Sequence, residues 1–340
     1  MSLAKTILLS WDWEPSIIIG CAALAIGYAV LSRLGFSPKS GKLPLASSPG
    51  TPGEDRGGGL WLEGRAASEI GPHPVPPPEY QGRGKERIFG NSGHIHRFQL
   101  DPRVFFYYLG LAIMFLTLVS PLDTLADTYL FSMHMFQHLL LSEVVPALLL
   151  LGIPLAWWQW VLSWKPLEAA EDVLRKPPVA WLCGVGALWL WHWPRLYDAA
   201  LYNENLHAFQ HLCFMVTGTI FWYPVITPVP GHRMTVFPAV FYLFAACTFS
   251  SLLGIFITFC SYEIYPFYLS PNDSLGILPQ LRGLISVRAD QELGGLLMWF
   301  PCCLIYAGAI LIRLGTWFGE SPDESESPIA AIKPSPHLVR

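Results

Sequence analysis

The chain has 340 residues and a mean hydropathy of +0.40, with 52% hydrophobic against 14% charged residues and a formal net charge of −4. A slight acidic excess gives no electrostatic grip on a phosphate backbone, so nucleic acid is excluded as an expected partner. Charge-free stretches dominate, and what lies between them is too short or too polar for a soluble domain with its own core.

Windows of about 20 apolar residues, enough to cross a hydrocarbon core, occur at Ile17–Leu34, Val104–Leu122, Thr128–Gly152, Val179–Leu196, Leu206–Pro228, Val236–Cys260 and Leu293–Phe318. The expected fold is therefore an all-α polytopic membrane protein with seven transmembrane helices. Residues 1–36 hold the first helix. Its run is too long for a signal peptide, and Lys5 is outweighed by Asp12 and Glu14, so it reads as retained. Residues 37–103, with SSPGTPGEDRGGG and PHPVPPPEY, cannot bury enough apolar surface to offset ordering and read as a mobile cytoplasmic loop. His94 and His96 within it read as a solvated pair. Residues 104–318 form a six-helix core, and 319–340, with ESPDESES, a solvated acidic tail.

Within the core, the third helix is expected to begin near Asp127–Thr128, and Asn205 to cap the fifth, placing His207 in its first turn. Pro177-Pro178 and the stretch 227–231 mark turns. Seven cysteines lie in or at the ends of apolar segments without a Cys-x-x-Cys spacing, so a disulfide framework is not expected; the vicinal Cys302–Cys303 pair is a weak soft-metal candidate. Trp11, Trp13, Trp157 to Trp164 and Trp317 fall where interfacial belts are expected.

Lys and Arg set the orientation. With the N-terminus outside, 17 of the 21 fall on the cytoplasmic side: those from Arg33 to Arg103, then Lys165, Arg175, Lys176, Arg233, Arg313, Lys333 and Arg340. Only Lys5, Arg195, Arg282 and Arg288 fall outside, which gives N-out, C-in.

One phrase is written twice inside these segments, HMFQHL from His134 and HAFQHL from His207. Positions i and i+4 share a helix face, so each phrase aims two imidazoles one way. Intramembrane histidines are costly, and imidazole is the commonest neutral metal ligand. The charge-derived topology puts both phrases about 3–15 Å below the outer end of parallel helices, at the depth of His192. Met215 continues the His207, His211 stripe as a soft donor that suits copper. Gln137 and Gln210 flank each second histidine, either orienting imidazoles or hydrogen-bonding between helices. Asp290 sits just before the seventh helix, where it either neutralises the histidines or caps its own helix. Glu143, nine residues after His134, falls about 180° around the helix and faces away from the cluster.

These motifs carry a resemblance. SPLDTLADTYLFSMHMFQHLLL with PALLLLGIP, then WHWPRLYDAALYNENLHAFQHLCF and FWYPVITP, then YPFYL and DQELGGLLMWFP are similar to the CtaG family of bacterial cytochrome c oxidase assembly factors, from about Val104 to Phe318. The resemblance implies a multi-pass plasma-membrane protein needed to form active haem-copper oxidase, with a role in supplying copper. The matching positions are His134, His138, His192, Tyr197, Asp198, His207, His211, Asp290 and Gln291. The long loop before Leu100 and Glu143 depart from the family pattern.

The combined expectation is a non-catalytic metallochaperone. Its copper ligands are His134, His138, His207 and His211, with His192 fifth and Met215 auxiliary. Gln137, Gln210, Tyr197, Asp198, Asp290 and Gln291 surround them. An extracytoplasmic copper donor would load the site and haem-copper oxidase subunits would receive the metal, with lipid around the bundle. The alternatives are a haem-binding electron carrier, with axial pairs such as His134 and His207, and a metal-free scaffold for oxidase subunits.

Overall fold

The structure, a computed structural model, describes residues 2–33 and 101–319, which are helical throughout apart from turns and contain no strand. The Gly/Pro-rich stretch with His94 and His96, and the acidic tail from 320, lie outside the described residues.

The apolar helices are α1 (Pro15–Arg33), α2 (Pro102–Val119), α3 (Phe131–Gly152), α4 (Pro177–Trp191), α5 (Glu204–Ile226), α6 (Val236–Phe259) and α7 (Val287–Gly319). Six are long and apolar enough to cross a membrane; α4, with 15 residues, is shorter. The expected fourth segment runs to Leu196, but Pro194 ends it early. The residue before a proline is pushed to extended backbone, and Trp193 sits there at φ −65°, ψ 122°, so α4 stops at Trp191 with His192 as its C-cap. A separate short helix, Pro194–Leu201, comes next.

Other boundaries also move. A π-helical turn, Leu125–Tyr129, precedes α3, and extended Leu130 separates the two, so α3 starts at Phe131 rather than near Thr128. Asn203, not Asn205, caps α5, its side-chain oxygen accepting from Leu206 N at 3.1 Å. α7 starts six residues before the expected Leu293, which puts Asp290 and Gln291 inside it. Their charge and polarity mask the helix start; both are buried by packing.

Hydrogen bonds gather the connections at two ends. At one, Asp12 N donates to Val119 O at 3.0 Å, and the Arg282 guanidinium donates to Tyr129 O and Tyr268 O at 3.2 and 2.9 Å. At the other, His232 Nδ1 lies 2.7 Å from Glu171 Oε1, and Arg313 donates to Met234 O at 2.7 Å. Around the outside, Leu182, Phe241, Phe244, Phe256 and Leu311 are exposed, the apolar face that a lipid-embedded bundle presents.

Two glycine contacts set the helix spacing that matters for the site. A Cβ at Gly218 of α5 would collide with the Ser142 carbonyl of α3, so only glycine lets these helices come so close. A Cβ at Gly254 of α6 would come within 2.8 Å of the Gly295 carbonyl of α7. α7 in turn presses Gly294 against the Phe131 ring at the head of α3.

Candidate metal centre

The two repeated phrases meet. His134 and His138 on α3 and His207 and His211 on α5 each offer one nitrogen to a group in which all lie within 4.8 Å of one another. Ring centroids are 4.1 Å apart in the first pair, 4.2 Å in the second and 5.2 Å between His134 and His207. Four nitrogens about 2.0–2.1 Å from one tetrahedral ion would stand about 3.3 Å apart, so the group is gathered on the scale of a single coordination sphere.

Hydrogen-bond chemistry fixes several protons. His134 Nδ1 lies 3.3 Å from the Ala126 carbonyl, which can only accept, so Nδ1 carries the proton and Nε2 a lone pair. That Nε2 is 2.7 Å from His138 Nε2, which must then donate. His138 Nδ1, His207 Nε2 and His211 Nε2 are buried without any partner. Each such orphaned group costs about 1–3 kcal/mol. A cation placed among them would take the position of the proton shared by the first pair, and His138 would move its proton to the unpartnered Nδ1. The donor set therefore fits a metal ion.

Asp127, which the sequence suggests only as a helix boundary, bridges the two helices. Its Oδ2 is 3.4 Å from His207 Nδ1 and its Oδ1 3.9 Å from His134 Nδ1. Carboxylates behind ligating histidines fix the tautomer and raise basicity. Burial, and behind it the carboxylates of Asp123 and Asp12, push the Asp127 carboxyl well above the usual range. Asp123 is likewise pushed up to about 7 by burial, although Gln137 Nε2 donates to it at 2.7 Å.

The remaining expected residues divide. Gln137 does not touch an imidazole; it ties α3 to Asp123 and to Thr117 O at 3.2 Å. Gln210 is buried with neither side-chain atom partnered. Asp290 caps a helix, but not its own: Oδ2 accepts from Phe131 N at 2.9 Å and Oδ1 from Ser132 N at 3.0 Å, satisfying the first amides of α3. Gln291 holds the loop after α6, accepting from Ile264 N at 2.7 Å and donating to Tyr262 O at 3.0 Å. That loop leads to Tyr265 and Tyr268, whose hydroxyls donate to His192 O and Ala126 O, both at 3.0 Å. The Tyr197 ring stands 5.3 Å from that of His134, and its hydroxyl meets that of Tyr268 at 3.2 Å. Asp198 turns to the Phe267 amide, with Oδ1 unpartnered.

His192 stands beside the four, its ring 5.6 Å from that of His138. The thioether that meets an imidazole is Met135, with Sδ 3.3 Å from His192 Nε2. Met215 packs instead with the cluster of Tyr107, Leu111, Met114 and Leu141. Met135 lies inside the repeated phrase, yet an apolar helix gives no reason to single it out. Glu143 is also re-aimed. A second π turn, Leu140–Val144, inserts one residue's worth of backbone and rotates the rest of the helix by about 100°. Glu143 thus lines a small cavity with His138 and His192, its oxygens accepting from Trp222 Nε1 at 3.1 Å and Tyr306 OH at 2.9 Å.

The chain is similar to known proteins. The family model described as cytochrome c oxidase caa3 assembly factor (Caa3_CtaG) matches residues 89–320. The uncharacterized protein ML1998 of Mycobacterium leprae (strain TN) is 28% identical over 210 residues, covering 55% of this chain and 30% of that protein. The uncharacterized protein Mb0105 of Mycobacterium bovis (strain ATCC BAA-935 / AF2122/97) is 29% identical over 191 residues, covering 50% and 27%. The chain thus matches less than a third of the length of these curated relatives. No solved structure matches it.

Proposed function

The chain belongs to the cytochrome c oxidase caa3 assembly factor family, and from that premise we propose that it binds copper at His134, His138, His207 and His211 and passes it to a haem-copper oxidase subunit. The observation that carries the reading is the convergence of four imidazoles, three buried and that of His207 nearly so, with the Nε2 atoms of His207 and His211 unpartnered, on one ion-sized space. Imidazole suits copper, zinc and iron; the family's client is a copper-containing oxidase, which favours copper.

In the N-out, C-in orientation drawn from Lys and Arg, the site lies in the outer leaflet of a bacterial plasma membrane. An extracytoplasmic donor would load it through the α5 pair, since His207 is the most exposed of the four. Asp127 then offsets part of the cation's charge while holding His207 by Nδ1. Transfer needs ligands that release one at a time, and imidazoles on two separate helices provide that. Rings 5.2 Å apart leave no gap for a macrocycle, so an ion is favoured over haem.

The test is metal analysis of the purified protein and of a His134→Ala, His211→Ala double variant, both prepared under reducing conditions, with oxidase assembly followed in cells. Copper content should fall by at least half in the variant, together with copper-loaded oxidase. Unchanged metal and unchanged assembly would leave the scaffold reading standing, and a strong Soret band with stoichiometric haem would replace copper by haem.

A further inference from the structure

Directly inward of His138 lies a second cluster of donors that the four-histidine group does not use. Met135, Met298, Cys302, His138, His192 and Glu143 line one cavity with room for about one water molecule, near 10 Å³. Met135, Met298 and Cys302 are all buried. Beside Leu139, Leu188 and Ser142, the lining holds two thioethers, a thiol, two imidazoles and a carboxylate.

The contact between His192 and Met135 gives the cavity its chemistry. His192 Nδ1 lies 2.6 Å from the Leu188 carbonyl, so Nδ1 holds the proton and Nε2 presents a bare lone pair. That lone pair faces Met135 Sδ at 3.3 Å, and a thioether has no hydrogen to donate. Two lone pairs therefore meet without a proton between them. A soft cation touching both converts that opposition into two bonds. Glu143 adds a polar wall, its oxygens held by hydrogen bonds from Trp222 and Tyr306. An acidic side chain at this depth is otherwise hard to account for.

We propose that this cavity is a second metal site, specific for a monovalent soft ion such as Cu(I), held by Met135, Met298, His192 and Cys302, the last as a thiolate whose proton is released on binding and whose charge offsets the ion's. Thioether and thiol donors select Cu(I), whereas the outer imidazoles also take divalent ions. The outer group thus receives the ion and the inner one sorts it. The inference deepens the copper reading and rests on it, yet its ligands are separate.

The test loads the whole protein anaerobically with Cu(I) supplied as its bicinchoninate complex, then measures copper per chain and X-ray absorption at the copper edge. The wild type should hold two ions, with copper–sulfur scattering. Met135→Leu with Met298→Leu, a nearly volume-conserving change, combined with Cys302→Ala, should halve the copper and remove the sulfur signal while leaving Zn(II) uptake unchanged. The His134→Ala, His211→Ala variant should keep the sulfur signal. One ion with nitrogen-only scattering, or a sulfur signal that survives loss of both methionines and Cys302, overturns the inner site while the outer one stands. A sulfur-bound ion untouched by the histidine changes, with no nitrogen-only ion in the wild type, overturns the outer site instead. No copper at all overturns both.

Discussion

The phrase HxFQH is written once on α3 and once on α5, and the two copies are built differently. In the α3 copy both imidazoles are essentially inaccessible and hydrogen-bonded to each other, and Gln137 is anchored to two other elements. In the α5 copy His207 is partly exposed, His207 Nε2 and His211 Nε2 have no partner, and Gln210 is buried with both side-chain atoms unsatisfied. The same letters give one anchored pair and one loosely held pair. The proposed transfer would use both kinds, one to define the geometry and one to let go. Identity of sequence thus says which atoms are present, while the neighbours decide what those atoms are free to do.

The strongest way to break this contrast is to remove what anchors the first copy. Asp290→Ala leaves the Phe131 and Ser132 amides buried without acceptors and should cost about 2–5 kcal/mol; detergent-solubilised thermal unfolding would read it, and Asp290→Asn should recover part of the loss. An unchanged melting temperature would mean that the α3 pair is not held from α7.

Next is the dependence on pH. Burial raises the Asp123 carboxyl to about 7 in the folded protein against about 3.8 in the unfolded chain. The folded state therefore binds the proton more tightly, so this contribution is fully present below about pH 4 and is lost as pH rises toward 7. Stability should fall by roughly 2–4 kcal/mol across that window, and Asp123→Asn, which keeps an acceptor for Gln137, should flatten the curve. A wild-type curve no steeper than the variant's would contradict the assignment.

A change at Asp127 tests the link between the two copies. Asp127→Asn should weaken copper binding about 10–100-fold with little effect on folding, and the loss should be larger than that from Asp198→Asn, which lies toward Phe267. The smallest expected effect sharpens the contrast most directly. Gln137→Leu should destabilise by about 1–3 kcal/mol, because it strips Asp123 and Thr117 O of their donor, whereas Gln210→Leu should be neutral or stabilising. Equal effects would mean that the two copies are equivalent.

Much of this is legible in the residues. The apolar windows locate the seven apolar helices, and the Lys and Arg between them predict a topology that puts all five histidines of these segments at one depth. The i, i+4 spacing then predicts the convergence that the structure contains. What escapes is whatever depends on backbone irregularity or on distant partners. The π turn at Leu140–Val144 leaves no hydropathy signature, so regular helical spacing puts Glu143 on the wrong face. Asp290 finds its partners about 160 residues away, which no local capping rule anticipates. Met135 and Met215 are indistinguishable as letters, and only packing puts one against His192 and the other among Leu111 and Met114.

The cap that Asp290 lends to α3 has a mechanical side. One carboxylate is part of α7 and simultaneously closes the first turn of α3, and Gly294 beside it seats the Phe131 ring, so the two helices share a joint three residues from His134. The lipid-facing side of α7 exposes Leu296, Phe300, Leu304 and Leu311 along its length. The first turn of α3, and with it the placement of His134, therefore depends on a helix whose other side is turned outward from the bundle.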